Sequence, residues 1–203
     1  LADDQLEVAR AGVKALMPVV RGKTMLDFIL ERLARAGFSS FCLVIGDEHQ
    51  AIRDFCQRFD LNITFAVQKE ALGTADAVLS ALEFCGDDNF LVVNSDNLYP
   101  HEDLTALREY GKPSLIAYSK KHLIEKSNIS EEKINKFATI DFNPDGTLAK
   151  ITEKPEASDA EARISMNAWV FSPKIFSACG MIGKSVFPSI FEFRPDLRVM
   201  RFW

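Results

Sequence analysis

Long apolar runs are missing from this 203-residue chain. None approaches the ~20 residues that a membrane-spanning helix needs, and the longest, such as 41–45 and 90–93, have the length of buried strands. C-x-x-C spacing is missing too. Cys42, Cys56, Cys85 and Cys179 stand far apart and no signal-like opening precedes them. A disulfide framework or a zinc knuckle is therefore not indicated, and a reducing cytoplasm fits best. Nor is there a surplus of positive charge. With 24 basic against 29 acidic side chains the net charge is −5, which offers nucleic acid no electrostatic footprint. A phosphate-bearing ligand must then be held locally, by a few Lys or Arg residues, backbone amides or a metal. His49, His101 and His122 share no metal spacing, and no Ser or Cys nucleophile motif accompanies them.

What is there suits one folded unit. An apolar content of 47% with 10% aromatics can bury one sizeable core, so residues 1–203 are read as a single domain. The chain opens on Leu1 without a methionine and closes on the apolar run 199–203, so both ends are expected to be cut.

Short apolar runs alternate with stretches of helical period, the pattern of βαβ units and a largely parallel sheet covered on both faces. The first clear helix is expected over 25–36, with Thr24 as its cap, Asp27 three positions on and Gly37 at its end. A strand at 41–45, a helix carrying Ile52, Phe55, Cys56 and Phe59, and a strand at 63–67 complete a βαβ unit. Gly73 and Thr74 open a helix with Ala75, Val78, Leu82 and Cys85 on its inner side. Strands follow at 90–94 and 114–119 around a helix near Leu104 and Leu107. Residues 120–136 read as a solvated insertion. A hairpin, 138–142 with 148–152, turns on Asn143-Pro144-Asp145-Gly146. A strand over 165–171 and a helix starting at Ser172-Pro173 come last.

Asp96 stands just past the strand at 90–93, where open α/β sheets bind ligands. A carboxylate there, followed by Asn97, suits Mg²⁺, which takes one or two carboxylates plus substrate phosphates; an Asp that merely caps the next turn is the plain alternative. In Gln68 to Thr74, a glycine at a helix entrance lets the backbone approach a flat ligand, Thr74 can cap the helix, and Gln68 offers donor and acceptor to a base edge. An ordinary turn and cap explains the same residues. Glu153-Lys154-Pro155 pairs an acceptor for sugar hydroxyls with a compact cation for phosphate, or is a charged strand end with a proline stop. Lys14 precedes the apolar run 15–19, where a lone Lys commonly snorkels to water.

The order of these signals resembles a known family. Lys14-Ala15-Leu16-Met17-Pro18-Val19, Gly22-Lys23-Thr24-Met25-Leu26, Gln68 with Gly73-Thr74-Ala75, Ser95-Asp96-Asn97, Glu153-Lys154-Pro155 and Asn167-Ala168-Trp169-Val170-Phe171 are together similar to the sugar-phosphate nucleotidyltransferases. The resemblance implies a three-layer α/β/α, Rossmann-like mixed sheet. It implies Lys14 on the triphosphate, Gln68, Gly73 and Thr74 on the base, and Asp96 on Mg²⁺. Glu153 and Lys154 then hold the sugar and its phosphate, with Asn167 as a sugar-side contact. The implied partners are a nucleoside triphosphate and a sugar 1-phosphate, with neither nucleic acid nor membrane, and a homo-oligomer is left open. The implied reaction is in-line attack of a sugar-phosphate oxygen on the α-phosphorus with departure of pyrophosphate, assisted by Lys14, Lys154 and the metal at Asp96. Against the family pattern, no Gly-x-Gly-x-Arg phosphate loop precedes Lys14, and a second metal-binding Asp is expected beyond Trp203. Ala138 and Ala168 stand where glycines are usual. Two rival readings are a nucleotide-sugar-dependent glycosyltransferase, which commonly shows Asp-x-Asp, and a non-catalytic homologue of the same fold.

Overall fold

In the computed structural model, which describes residues 14–20, 22–155, 159–182 and 198–201, Thr24 ends one element and starts the next. A 3₁₀ turn, Lys14–Leu16, leads into an antiparallel ribbon of β1 (Pro18–Val20) and β2 (Lys23–Thr24). The Thr24 hydroxyl then accepts from the Asp27 N–H at 3.3 Å while the Asp27 carboxylate accepts from the Thr24 N–H at 2.7 Å. This reciprocal capping box satisfies donors that the first turn of α1 (Met25–Arg35) leaves unpaired. Arg58 donates to the same carboxylate, so the buried charge is neutralised. Gly37 closes the helix with φ +90°, in the left-handed region that glycine occupies without strain.

The expected βαβ unit is present as β3 (Ser40–Ile45), α2 (Gln50–Cys56) and β4 (Asn62–Val67), with β3 and β4 parallel from Ser40–Asn62 to Ile45–Val67. The helix after Gly73 differs from expectation. It is two helices, α3 (Thr74–Ser80) and α4 (Leu82–Cys85), broken at Ala81, whose N–H bonds back to Val78 and Leu79. The tightened turn shifts the phase, so Ala81 is buried and Leu82, expected inside, is 48% exposed. Gly73 rather than Thr74 is the cap, and no side-chain cap bond forms, because Thr74 already lies inside the helix.

β5 (Phe90–Val93), α5 (His101–Tyr110) and β6 (Ser114–Ser119) follow. The segment expected to be a solvated insertion instead forms α6 (Lys120–Lys126) and α7 (Glu131–Ile134). Their buried Leu123 and Ile134 join the core, which two apolar anchors suffice to do despite the surrounding charge. β7 (Thr139–Phe142) and β8 (Leu148–Thr152) form the expected hairpin, closed by the Gly146 N–H donating to the Asn143 carbonyl at 2.9 Å. β9 (Arg163–Phe171), α8 (Lys174–Ile182) and β10 (Arg198–Arg201) complete the described elements.

β9 organises the larger sheet. β6 pairs antiparallel along one edge of it, while its other edge is shared by β7 at residues 163–164 and β5 at residues 168–171. β10 adds parallel to β6, and β8 flanks β7. Alternating side chains send one set to each face. Phe41, Leu43, Ile45, Leu91 and Val93 pack with α1, α2 and α5; Cys42, Val44, Phe90 and Val92 pack with α3, α4 and α8. The result is the expected three-layer α/β/α arrangement of a mixed sheet. β3 and β5 share both cores, yet among the described residues β3 pairs only with β4 and β5 only with β9.

Candidate functional site

Two loops leave strand ends in this layer. The first leaves β4. Gln68 continues the strand, its N–H donating to the Ile45 carbonyl at 2.9 Å. Its side-chain amide donates to the Gly73 carbonyl at 3.1 Å and to Asp76 Oδ2 at 3.0 Å, so one side chain ties the strand end to the start of α3. Both amide protons being used, Oε1 is the atom Gln68 has left to offer a ligand. Gly73 has φ +101° and ψ −177°, a conformation essentially reserved for glycine, and a Cβ built there meets nothing within 4 Å. Thr74 is exposed beside it. This loop presents bare backbone to open space.

The second loop leaves β5, and it meets β9 at a gap. The Ser165 N–H still donates to the Ala138 carbonyl at 2.9 Å, so residues 166–167 lie between the β7 and β5 pairings, and the register with β6 slips there, Leu115 facing Trp169 while Ala117 faces Ser165. The extra length makes a bulge in which Asn167 adopts φ +62°. Side chains from the β5 loop replace the missing strand partner. The Tyr99 hydroxyl donates to the Met166 carbonyl at 2.5 Å and lies 3.1 Å from the Asn167 carbonyl, and the Asn97 amide donates to the Met166 carbonyl at 3.1 Å. Burial drives the Tyr99 pKa up to about 12, the Asn97 and Asn94 hydrogen bonds oppose this, and the nearby Asp96 carboxylate adds to the rise. Tyr99, in the same loop as Asp96, thus ties that loop to Asn167. Asp96 itself is exposed, and among the described residues no Lys or Arg forms an ion pair with it.

Glu153 and Lys154 lie level with this bulge in strand register. Thr152, Thr139, Ile164 and Tyr118 form one row across β8, β7, β9 and β6. β8 runs parallel to β9, so the two residues after Thr152 emerge level with the bulge, both exposed. Lys154 has φ +43°. Among the described residues, it and Asn167 are the non-glycine residues with left-handed backbones. Such strain persists where the surroundings impose it, and clusters at ligand sites.

Lys14 is exposed on its 3₁₀ turn, whose neighbours Ala15 and Leu16 pack on the core that also holds Tyr99. Its turn is anchored through the Met17 carbonyl, which accepts from the Met25 N–H at 3.2 Å, and the Tyr99 carbonyl accepts from Arg32 of the same α1 at 2.8 Å. Hydrogen bonds thus join Gln68 to Gly73 and, through Tyr99, the Asp96 loop to Asn167; strand register brings up Glu153 and Lys154, and Lys14 connects only through the shared core.

Sequence reasoning passed over two residues. Asp76, which orients Gln68, could have been noticed as a carboxylate in the first turn after Gly73. Tyr99 had no comparable signal, because the carbonyls that it serves belong to a strand 67 residues away.

Among the described residues no three His, Cys, Asp or Glu residues cluster to cage a metal, and no helix is long and apolar enough to cross a membrane. A mixed sheet between two helix layers, with a glycine loop and an exposed carboxylate past strand ends, defines an α/β domain of the kind that binds ligands outside those ends. The chain belongs to the nucleotidyl transferase family, whose profile matches residues 6–185.

Its relatives include the low-salt glycan biosynthesis nucleotidyltransferase Agl11 of Haloferax volcanii, 25% identical, with 84% of this chain and 46% of that protein covered. Glucose-1-phosphate thymidylyltransferase of Streptomyces antibioticus is 27% identical over 88% of this chain and 49% of its own length. UTP–glucose-1-phosphate uridylyltransferase 2 of Staphylococcus saprophyticus is 26% identical over 84% and 68%. The chain thus spans about half the length of the first two. UDP-glucose pyrophosphorylase from Acinetobacter baumanii has the same fold, with a TM-score of 0.72 at 16% identity, covering 92% of this chain and 78% of that one.

Proposed function

We propose that this domain transfers a nucleotidyl group from a nucleoside triphosphate to a sugar 1-phosphate, giving a nucleotide sugar and pyrophosphate in the cytoplasm. The observation that carries the reading is the hydrogen bonding of the Asp96 loop to the Asn167 bulge of β9, with the Glu153-Lys154 strand end level with that bulge in strand register.

The residues divide by chemistry. Gly73 lets the backbone lie flat against a base while Gln68 offers Oε1, an acceptor for a ring N–H. Glu153 accepts from sugar hydroxyls, Lys154 meets the sugar phosphate, and Asn167 borders the sugar. Lys14 neutralises the triphosphate. An exposed, unpaired hard oxygen donor at Asp96 fits Mg²⁺, which needs one protein carboxylate when phosphates supply the rest. Bound there, the ion would stabilise charge on the phosphate oxygens. A sugar-phosphate oxygen forms the new bond to the α-phosphorus as the bond to the pyrophosphate oxygen breaks. No covalent enzyme intermediate is required, so catalysis is by positioning and charge. The Asn97 amide, bonded inward to Met166, and the uncharged Ser95 leave one carboxylate in this loop, which favours this reading over a glycosyltransferase with paired acids.

Among the described residues, one edge each of β3 and β5 is unpaired, which supports a further reading, that the family's first strand with its glycine-rich phosphate loop belongs between them. The intact protein, mixed with Mg²⁺, glucose 1-phosphate and either UTP or dTTP, is expected to release pyrophosphate in step with nucleotide-sugar formation. Absence of both products with every nucleoside triphosphate and hexose 1-phosphate tried would rule the reading out.

A further inference from the structure

Tyr99 touches no substrate in the reading above, yet two parts of the site, the Asp96 loop and the Asn167 bulge, meet at it. We propose that Tyr99 is a positioning residue, whose hydroxyl locks the Asn167 bulge of β9 to the Asp96 loop and so sets the sugar-phosphate side of the cleft before ligand arrives. This rests on the nucleotidyl-transfer reading.

The ring is 3% exposed, so it cannot itself reach a ligand. Its hydroxyl serves the Met166 and Asn167 carbonyls at 2.5 and 3.1 Å, at the stretch of β9 that β5 and β7 leave unpaired. Asn97 supports the same carbonyl from the side, and Arg32 holds the Tyr99 backbone to α1. The bulge needs such support, because Asn167 sits at φ +62° and a side chain stays there only while its surroundings over-determine it. A plain core residue would fill the same space without the hydroxyl. Phe in place of Tyr therefore separates packing from positioning.

The reporter is built in. The Trp169 indole N–H donates to Asn167 Oδ1 at 3.4 Å, and the chain holds just two tryptophans, so Trp203→Phe assigns the resonance. In Tyr99→Phe, the Trp169 indole ¹H–¹⁵N signal of the ligand-free protein is expected to shift or broaden. In turnover, KM for glucose 1-phosphate is expected to rise roughly tenfold, as for loss of one supporting hydrogen bond, with KM for the nucleotide changed by less than about twofold.

Asn97→Ala, which removes the lateral support and spares the hydroxyl, is expected to move both readouts in the same direction by less. An unmoved indole signal overturns the proposal, as does an unmoved sugar-phosphate KM or an equal rise in both KM values. Should the wild type fail to turn over any substrate pair, the functional reading falls. The indole signal still decides whether the hydroxyl holds Asn167.

Discussion

The loop after β4 and the loop after β5 are held in place by opposite means. The first relies on a glycine at φ +101° with open space around it, bridged by the half-buried Gln68 amide. The second relies on a buried and a half-buried side chain, with Tyr99 and Asn97 bonding the Met166 and Asn167 carbonyls of β9 between its pairings with β7 and β5. The first loop should therefore be most sensitive to backbone change at Gly73, and the second to loss of the Tyr99 and Asn97 side-chain bonds. A surface suited to a flat base and a pocket suited to a sugar phosphate make these different demands.

The largest break would come at the carboxylate of the second loop. Asp96→Ala is expected to lower turnover by roughly 10³-fold or more with an unaltered melting temperature, because Asp96 is exposed and pairs with no cation among the described residues. Turnover within a few-fold of wild type would take Asp96 out of the reaction.

Gly73→Ala sharpens the backbone side. Space is available for the methyl, so the cost is conformational, about 1–3 kcal/mol. Paid as loop rearrangement, it is expected to raise KM for the nucleotide roughly tenfold or more and leave KM for the sugar phosphate alone. Equal affinity for the nucleotide would mean that the loop does not meet it.

Asn167→Gly tests the other side in the opposite sense. Relief of the left-handed backbone is worth up to about 1 kcal/mol, so stability by chemical denaturation is expected to hold or rise while KM for the sugar phosphate worsens. A variant that loses stability and keeps its substrate affinity would make Asn167 a structural residue.

The smallest effect lies behind Tyr99. Burial pushes the Asp103 carboxyl above its ordinary 3.8; the Tyr118 O–H that it accepts at 2.9 Å opposes the rise and Glu102 adds to it. A carboxyl whose folded pKa exceeds its unfolded one binds its proton more tightly in the fold. Its contribution to stability is present at low pH and is lost as pH climbs from about 3.8 through the folded value. Wild type is thus expected to lose melting temperature relative to Asp103→Asn over that climb, and a difference independent of pH would contradict it.

Much of the framework was legible because it is local. Thr24, Asp27 and Gly37 announce the ends of α1, alternation and turn residues announce the β7–β8 hairpin, and the apolar runs of β3 and β5 fall where predicted. Two misreadings are also local. A single tightened turn at Ala81 was enough to put Leu82 outside, and two buried anchors were enough to fold a charged stretch into α6 and α7. The candidate residues were legible through the order of their motifs. Their mutual support was not, since the Tyr99–Met166 bond, the bulge at Asn167 and the Gln68–Asp76 bridge exist only once distant strands are paired.

The central claim is that the β5 loop, the β9 bulge, the end of β8 and the β4 loop line one cleft. Paramagnetic Mn²⁺ added with UTP to the ¹⁵N-labelled protein measures this directly. The account predicts amide broadening strongest around Asp96 and reaching Asn167, Glu153, Lys154 and the Gln68–Gly73 loop. Broadening centred on another face, or around Asp96 with those residues untouched, would contradict it.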